Sequence, residues 1–522
     1  MGLQADRTEE AAARTARVFW LLFAAVQGAK LWLAARLDLH PDEAFYWLEA
    51  QYPAISYSDV PVLTPLLVGL GTLLAGDTAL GVRLAFLALG ALIPLAVYRV
   101  ARLFGDRAAA SRAATLALAV PLLSIMGLLA VPDVPMILLS VVSLGLFTRA
   151  VRVPSTGRWV ALGLVAALAC NAHYRFAFVM LGGLFYLLFS ARGRAALARP
   201  GPWIAVGLVL LGLLPVLLFN LGNDLAGVRY HFADRHPWTF DAEGLWYLPE
   251  QALVVTPVVF AALAWAAWRA LARGIAGGGD DALLLWFAVA GVLSFAAMKP
   301  WSVGGTAFTA HWPVFGYVPL LILLGVALIG VTRWARVAIV GSGLAIVVAL
   351  LGFLALSTVH DRLPVPMRGL ATAKLSGWDR LGTAVEALAT REPDAGRTVV
   401  TDRVTTLTYV AFGLGRSRGV YTIDDRPLGE VRGRAKQVAI WRLNEAGLRA
   451  DRAGQDEILV IETRRMADET ARLCAIFAQV EPRDRVRRDS DGRSFEILLG
   501  RSIRPEPGQV AAAGPPGLCG PA

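Results

Sequence analysis

Eleven runs of apolar residues, most near the length that carries a helix across a lipid bilayer, dominate this chain of 522 residues. Crossing the hydrocarbon core takes about 20 helical residues. Inside it each amide must bond within its own segment, so the runs are read as helices. They fall at 16–36, 79–99, 112–131, 133–149, 159–171, 174–190, 203–220, 250–268, 282–298, 311–330 and 337–357, the fifth being the shortest. Charged residues make up only 17% of the chain and mean hydropathy is +0.56, whereas soluble domains carry about 25% charged residues. Residues 1–15 are polar, and no small-residue cleavage site follows the first run, so they are read as a cytoplasmic N-terminus and not a signal peptide.

Arginine placement orients the runs. Arg99, Arg102, Arg107 and Arg112 lie in one connection. Arg149, Arg152 and Arg158, then Arg192, Arg194 and Arg199, then Arg269 and Arg273, then Arg333 and Arg336 occupy alternate connections after it. Basic loops stay in the cytoplasm, so a formal charge of +10 reflects membrane topology and not nucleic-acid binding. The opposite connections, above all 37–78, 221–249, 299–310 and the chain after 358, contain all six histidines: His40, His173, His231, His236, His311 and His360. Polar chemistry is gathered at one membrane face.

After the last run the composition becomes that of a soluble domain. Leu381, Val385 and Leu388 share one face of a helix expected from about Trp378, and short β-rich runs follow at 398–401, 457–461 and 495–499. The division is therefore a transmembrane domain over 16–360 with periplasmic loops 37–78 and 221–249, and a small α/β domain over 361–503. A Pro-, Gly- and Ala-rich tail over 504–522 is expected to be disordered. An odd number of runs puts the α/β domain in the periplasm. Three cysteines, Cys170, Cys474 and Cys519, show no metal spacing; Cys474 and Cys519 read as free thiols or, outside the cytoplasm, as a bridge.

The most informative segment follows the first run: His40-Pro41-Asp42-Glu43-Ala44-Phe45-Tyr46-Trp47. An interfacial aromatic belt with ordinary loop acids accounts for it as well as a catalytic site does. Tyr57-Ser58-Asp59-Val60-Pro61 comes next, then an amphipathic stretch expected along the interface, then Gly81-Val82-Arg83-Leu84 and Val131-Pro132-Asp133-Val134-Pro135. Asp133 also suits a helix cap. Arg83, Arg175 and Lys299 are the outer-face cations. Lys299 is one of four lysines, and snorkelling explains it equally. Arg83 is equally suited to a structural ion pair. Lys30, inside the first run, can pair with an acid or snorkel outward.

In order and in membrane face, this set of motifs resembles the bacterial family 39 glycosyltransferases, relatives of the protein O-mannosyltransferases and of the lipid A aminoarabinose transferase, all of the GT-C fold. Lys299-Pro300, His311-Trp312-Pro313 and Gly377-Trp378-Asp379 extend the likeness over nearly the whole chain. The resemblance implies a polyprenyl-phosphate sugar donor, an acceptor reached from the periplasm (lipid A, a glycan or a protein) and inversion at the anomeric carbon. It makes Asp42 the catalytic base, assisted by Glu43 and Asp133, with Tyr57, Arg83, Arg175, Lys299 and His311 against the substrate. Some relatives hold a divalent metal in this region, which makes Asp59 with His231 or His236 the metal candidates here. A carboxylate near an oxocarbenium-like transition state and a base facing the acceptor hydroxyl are what such chemistry needs. The rival reading is a lipid-linked-sugar transporter or flippase, which calls for charges or broken helices near the membrane midplane.

Overall fold

The computed structural model describes residues 2–522 apart from 235, 237, 275–277, 303–310, 394–397, 416–417, 425–433, 489–491, 506–517 and 520–522. Each of the eleven apolar runs is helical over most of its length. Among the described residues, six helices are long and apolar enough to cross a membrane unaided: Ala12–Ala34, Ala79–Ala101, Asp133–Arg152, Pro200–Gly222, Asp280–Trp301 and Arg333–Ser357. Two more spans form if the pairs Phe176–Phe189 with Ala191–Leu197 and Ala242–Val255 with Pro257–Ala272, bent by 99° and 110°, each count as one. The remaining runs are shorter than expected. The run at 112–131 stops at Ala119 because Pro121 opens a new helix, Pro121–Ile125, and Thr156–Cys170 and Val314–Ala327 are compact apolar helices within the bundle.

Small residues bring the helices together. A Cβ on Gly291 would lie 2.5 Å from the Cα of Gly316, so the Asp280–Met298 and Val314–Ala327 helices touch backbone to backbone, the usual solution where lipid gives no hydrophobic drive between helices. Lys30 is fully buried in the first helix, and its Nζ donates to the Met126 carbonyl at 2.5 Å. It neither pairs with an acid nor reaches outward: a backbone oxygen satisfies it. The Leu63–Ala75 helix exposes Leu66, Leu70, Leu73 and Leu74, which share one face, as an interfacial helix should.

The C-terminal part is an α/β unit on a five-stranded sheet ordered β2-β1-β3-β5-β4. Its strands are β1 (Thr398–Thr401), β2 (Gly419–Thr422), β3 (Glu457–Glu462), β4 (Phe477–Arg487) and β5 (Ser494–Ile503). β1 runs parallel to β2 and β3, whereas β5 is antiparallel to both β3 and β4. β2 and β4 were not anticipated: β2 is four residues long, and β4 carries a charged stretch at its exposed edge. Cys474 and Cys519 are joined, with Cα atoms 5.3 Å apart. Of the tail, only residues 504, 505, 518 and 519 lie among those described, so its expected disorder falls outside them.

This unit sits directly on the first loop. Tyr409, in the helix Val404–Leu414, donates to the Leu39 carbonyl at 3.0 Å, and Phe412 meets Trp47 edge to face. The Trp378 amide donates to Asp38 at 3.1 Å. The polar loop residues are therefore covered by the small domain.

Candidate active site

The segment His40-Pro41-Asp42-Glu43 is first of all a helix start. His40 caps the Pro41–Gln51 helix by accepting from the Asp42 amide at 3.3 Å, and Glu43 reaches back to the His40 amide at 2.8 Å. That is a capping box with proline at the first helical position, where its missing N–H costs nothing. Burial holds the His40 imidazole below its ordinary range, although Asp42 and Glu43 pull it upward.

Glu43 and Arg83 are each other's partners, as the structural reading of Arg83 allowed. Both are fully buried and form a two-pronged ion pair, Nε to Oε1 at 2.8 Å and a terminal nitrogen to Oε2 at 2.7 Å. Glu43 also accepts from the amides of His40 and Ala130, each at 2.8 Å. The other donors of Arg83 go to the carbonyls of Ala34 (3.0 Å), Leu37 (2.7 Å) and Asp38 (2.7 Å). A guanidinium has five N–H groups and a carboxylate about four acceptor sites, so nothing is left for a substrate. The pair welds the orphan carbonyls that follow the first helix to the second span and to the turn before Asp133. Tyr57 is likewise structural: its hydroxyl donates toward the Glu49 and Tyr52 carbonyls at 2.9 and 3.1 Å and accepts from the Ala54 amide at 3.2 Å.

Asp42 points the other way and stays 19% exposed. Its partner is Arg434 of the C-terminal domain, at 2.8 Å, which also approaches Asp59 at 3.5 Å. The guanidinium lies over the rings of Phe45 and Tyr46, 4.6 and 5.9 Å from their centroids. Burial works against its charge, but Asp42 and Asp59 outweigh it and raise the Arg434 pKa beyond the usual arginine range. Glu49, fully buried beside Asp59, is held well above the usual carboxylate range by burial and then by the Asp59 charge.

From Asp59 the polar surface continues. Its backbone carbonyl lies 3.0 Å from Nε2 of His231, whose ring packs 4.5 Å from Tyr174 and 6.5 Å from His173. His173 contacts Arg175 through both ring nitrogens, at 3.0 and 3.1 Å, and Arg175 forms a buried pair with Asp133 at 2.9 Å. Arg175 lies 5.1 Å above the Trp312 ring, and His311 is an electrostatic neighbour of Asp133. One chain of contacts thus runs Asp42–Arg434–Asp59–His231–His173–Arg175–Asp133. Asp133 opens its helix, so its position there serves the fold as well.

The metal candidates do not converge. The Asp59 carboxylate faces Arg434 and Glu49, His231 meets the Asp59 carbonyl, and His236 is 3.0 Å from the Ser302 hydroxyl. Among the described residues no group of three or more metal-binding side chains is assembled. Lys299 begins a short turn, Lys299–Trp301, whose Pro300 carbonyl accepts from the Asp241 amide at 2.7 Å; this ties the loop before Tyr247 to the cation. Arg434 escaped sequence reasoning. It lies 392 positions from Asp42, and nothing local distinguishes it among so many arginines.

The bundle and its covering domain define the class: a polytopic membrane protein with the GT-C fold. It superposes on ArnT from Cupriavidus metallidurans bound to undecaprenyl phosphate with a TM-score of 0.61 at 16% identity, over 91% of this chain and 97% of that one. The apo form of ArnT gives 0.60, also at 16% identity, over 92% and 98%. Residues 59–219 match the family model described as dolichyl-phosphate-mannose-protein mannosyltransferase. The lipid A galacturonosyltransferase RgtD of Rhizobium johnstonii is 29% identical over 57% of this chain; the match spans 63% of RgtD, just under two thirds. The chain is similar to these glycosyltransferases and shares the fold of ArnT.

Proposed function

We propose that the protein is an inverting glycosyltransferase that moves a sugar from a polyprenyl-phosphate donor to an acceptor such as lipid A, at the periplasmic face of the bacterial inner membrane. The observation that carries this reading is Asp42, a partly exposed carboxylate joined by one line of contacts to the buried Arg175–Asp133 pair. Asp42 takes the proton from the acceptor hydroxyl as its oxygen attacks the anomeric carbon. The bond from that carbon to the phosphate oxygen breaks on the opposite face. Arg175, oriented by Asp133 and His173, and Lys299 receive the departing lipid phosphate.

A place for the lipid supports the assignment. An apolar cavity of about 450 Å³ is lined by residues that include Phe176, Val179, Gly183, Leu187 and Trp203. Its lining includes Phe176, next in sequence to Arg175, and continues along that helix to Leu187. The galacturonosyl activity of RgtD and the undecaprenyl phosphate of ArnT suggest an acidic sugar on such a lipid. The test is transfer by purified protein from a lipid-linked galacturonate donor to lipid A, followed by mass spectrometry. Envelope lipid A of unchanged mass with and without the protein, together with no transfer in vitro, would overturn the reading.

A further inference from the structure

The helix Arg434–Ile440 of the C-terminal domain lies across the first loop and is fastened there by three side chains spaced along one face. Arg434 meets Asp42 and Asp59. Gln437 accepts from the Ser58 amide at 2.8 Å. Trp441, just past the helix end, stacks on Tyr52 with centroids 5.0 Å apart, lies tilted against Phe45 at 5.8 Å and meets Tyr57 edge to face at 6.3 Å. Gln437 and Trp441 hold the backbone, so the long Arg434 side chain can change partner without moving the domain. Its aromatic floor is Phe45 and Tyr46, with the guanidinium 4.6 and 5.9 Å from their ring centroids.

The base assigned above has one oxygen, Oδ1, engaged by this arginine, while the other lies 3.6 Å from Nδ1 of His40. A carboxylate in a charge-assisted hydrogen bond is a weak proton acceptor until that bond is given up. We propose that Arg434 is an exchangeable counter-ion: it neutralises Asp42 and Asp59 before the donor binds, and passes to an oxyanion of the lipid-linked donor when it arrives, freeing Asp42 to take the acceptor's proton. This rests on the donor and base assignments of the preceding section. The oxyanion is the phosphate or the carboxylate of an acidic sugar, both of which match the two-pronged guanidinium. The C-terminal domain is then a working part of the site, contributing the cation that couples donor binding to activation of the base.

Competition makes the idea testable by binding alone. With full-length protein in nanodiscs, Asp42→Asn should bind undecaprenyl phosphate about tenfold more tightly than the wild type, because Arg434 then has one charged partner to leave, Asp59, instead of two. That gain should vanish in Asp42→Asn/Arg434→Gln, compared with Arg434→Gln alone. Arg434→Lys keeps the charge and should retain part of the gain, which carries the test if the glutamine variant melts early. Competition by galacturonate against galactose separates the two oxyanions: a gain seen only for galacturonate assigns Arg434 to the sugar carboxylate, and one seen only for the prenyl phosphate assigns it to the phosphate. Unchanged affinity for both ligands in Asp42→Asn, or a gain that persists without Arg434, overturns the exchange. Turnover by Asp42→Asn is read separately: normal turnover defeats the base assignment, whereas lost turnover with unchanged affinity defeats only the exchange.

Discussion

Neighbouring carboxylates in this protein sit in different surroundings. Glu43 is saturated by Arg83 and two amides, whereas Asp42 keeps one face toward solvent. Removing one partner of a buried ion pair strands the other charge, at about 3–5 kcal/mol. Glu43→Ala and Arg83→Met should therefore lower the melting temperature sharply and reduce the yield of folded protein. Asp42→Asn should melt like the wild type but lose about 10²–10⁴ in turnover, the usual worth of a positioned base. Asp133→Asn should fall between, with weaker turnover and a measurable loss of stability, because it loses both the Arg175 pair and a favourable charge at a helix start. A melting curve and a transfer assay on the same preparations decide each case. Early melting of Asp42→Asn would move Asp42 to the scaffold beside Glu43.

At the scale of elements, the first loop is held by parts that are distant in sequence. The Pro41–Gln51 helix carries its own start signal, and the apolar face of Leu63–Ala75 announces an interfacial helix. The turn between them depends on Tyr57 from within and on Gln437 and Trp441 from the C-terminal domain. Trp441→Ala should leave the membrane bundle intact but loosen residues 52–60. Hydrogen exchange there should accelerate by at least about tenfold, the effect of about 1.4 kcal/mol, and turnover should fall with it. Unchanged protection across 52–60 would show that Tyr57 holds the turn alone.

For the whole molecule, two buried acids of the small domain set a pH dependence. Burial pushes Glu457 up to about 7 and Asp402 up to about 6, from 4.5 and 3.8. Each binds its proton more tightly folded than unfolded. Their stabilising contribution is therefore full below 4.5 and 3.8, and is lost as pH rises through about 6 and about 7. The melting temperature of this domain should be higher at pH 5 than at pH 8, and Glu457→Gln should flatten the difference. A steeper slope in that variant would assign the dependence elsewhere. Topology is tested on the same scale: a reporter fused near residue 400 should be active in the periplasm, and Cys474 and Cys519 should resist thiol alkylation until reduced. A reporter active only in the cytoplasm would move the whole site to the other face.

The sequence by itself determined the class of molecule, since apolar runs and alternating arginines leave a multi-spanning helical bundle as the economical solution in lipid. It also located the loops in which the polar groups gather, because the histidines and acids of 37–78 and 221–249 stand out against apolar surroundings. It did not separate scaffold from chemistry. Asp42, Glu43, Tyr57 and Arg83 look alike as polar residues at a membrane face, and only their partners tell them apart. Those partners come from elsewhere: Glu43 from Arg83 and the Ala130 amide, and Asp42 from Arg434 in another domain. Propensity and periodicity act over a few residues, whereas the charge state and freedom of a carboxylate are set by whatever the tertiary fold brings within about 4 Å.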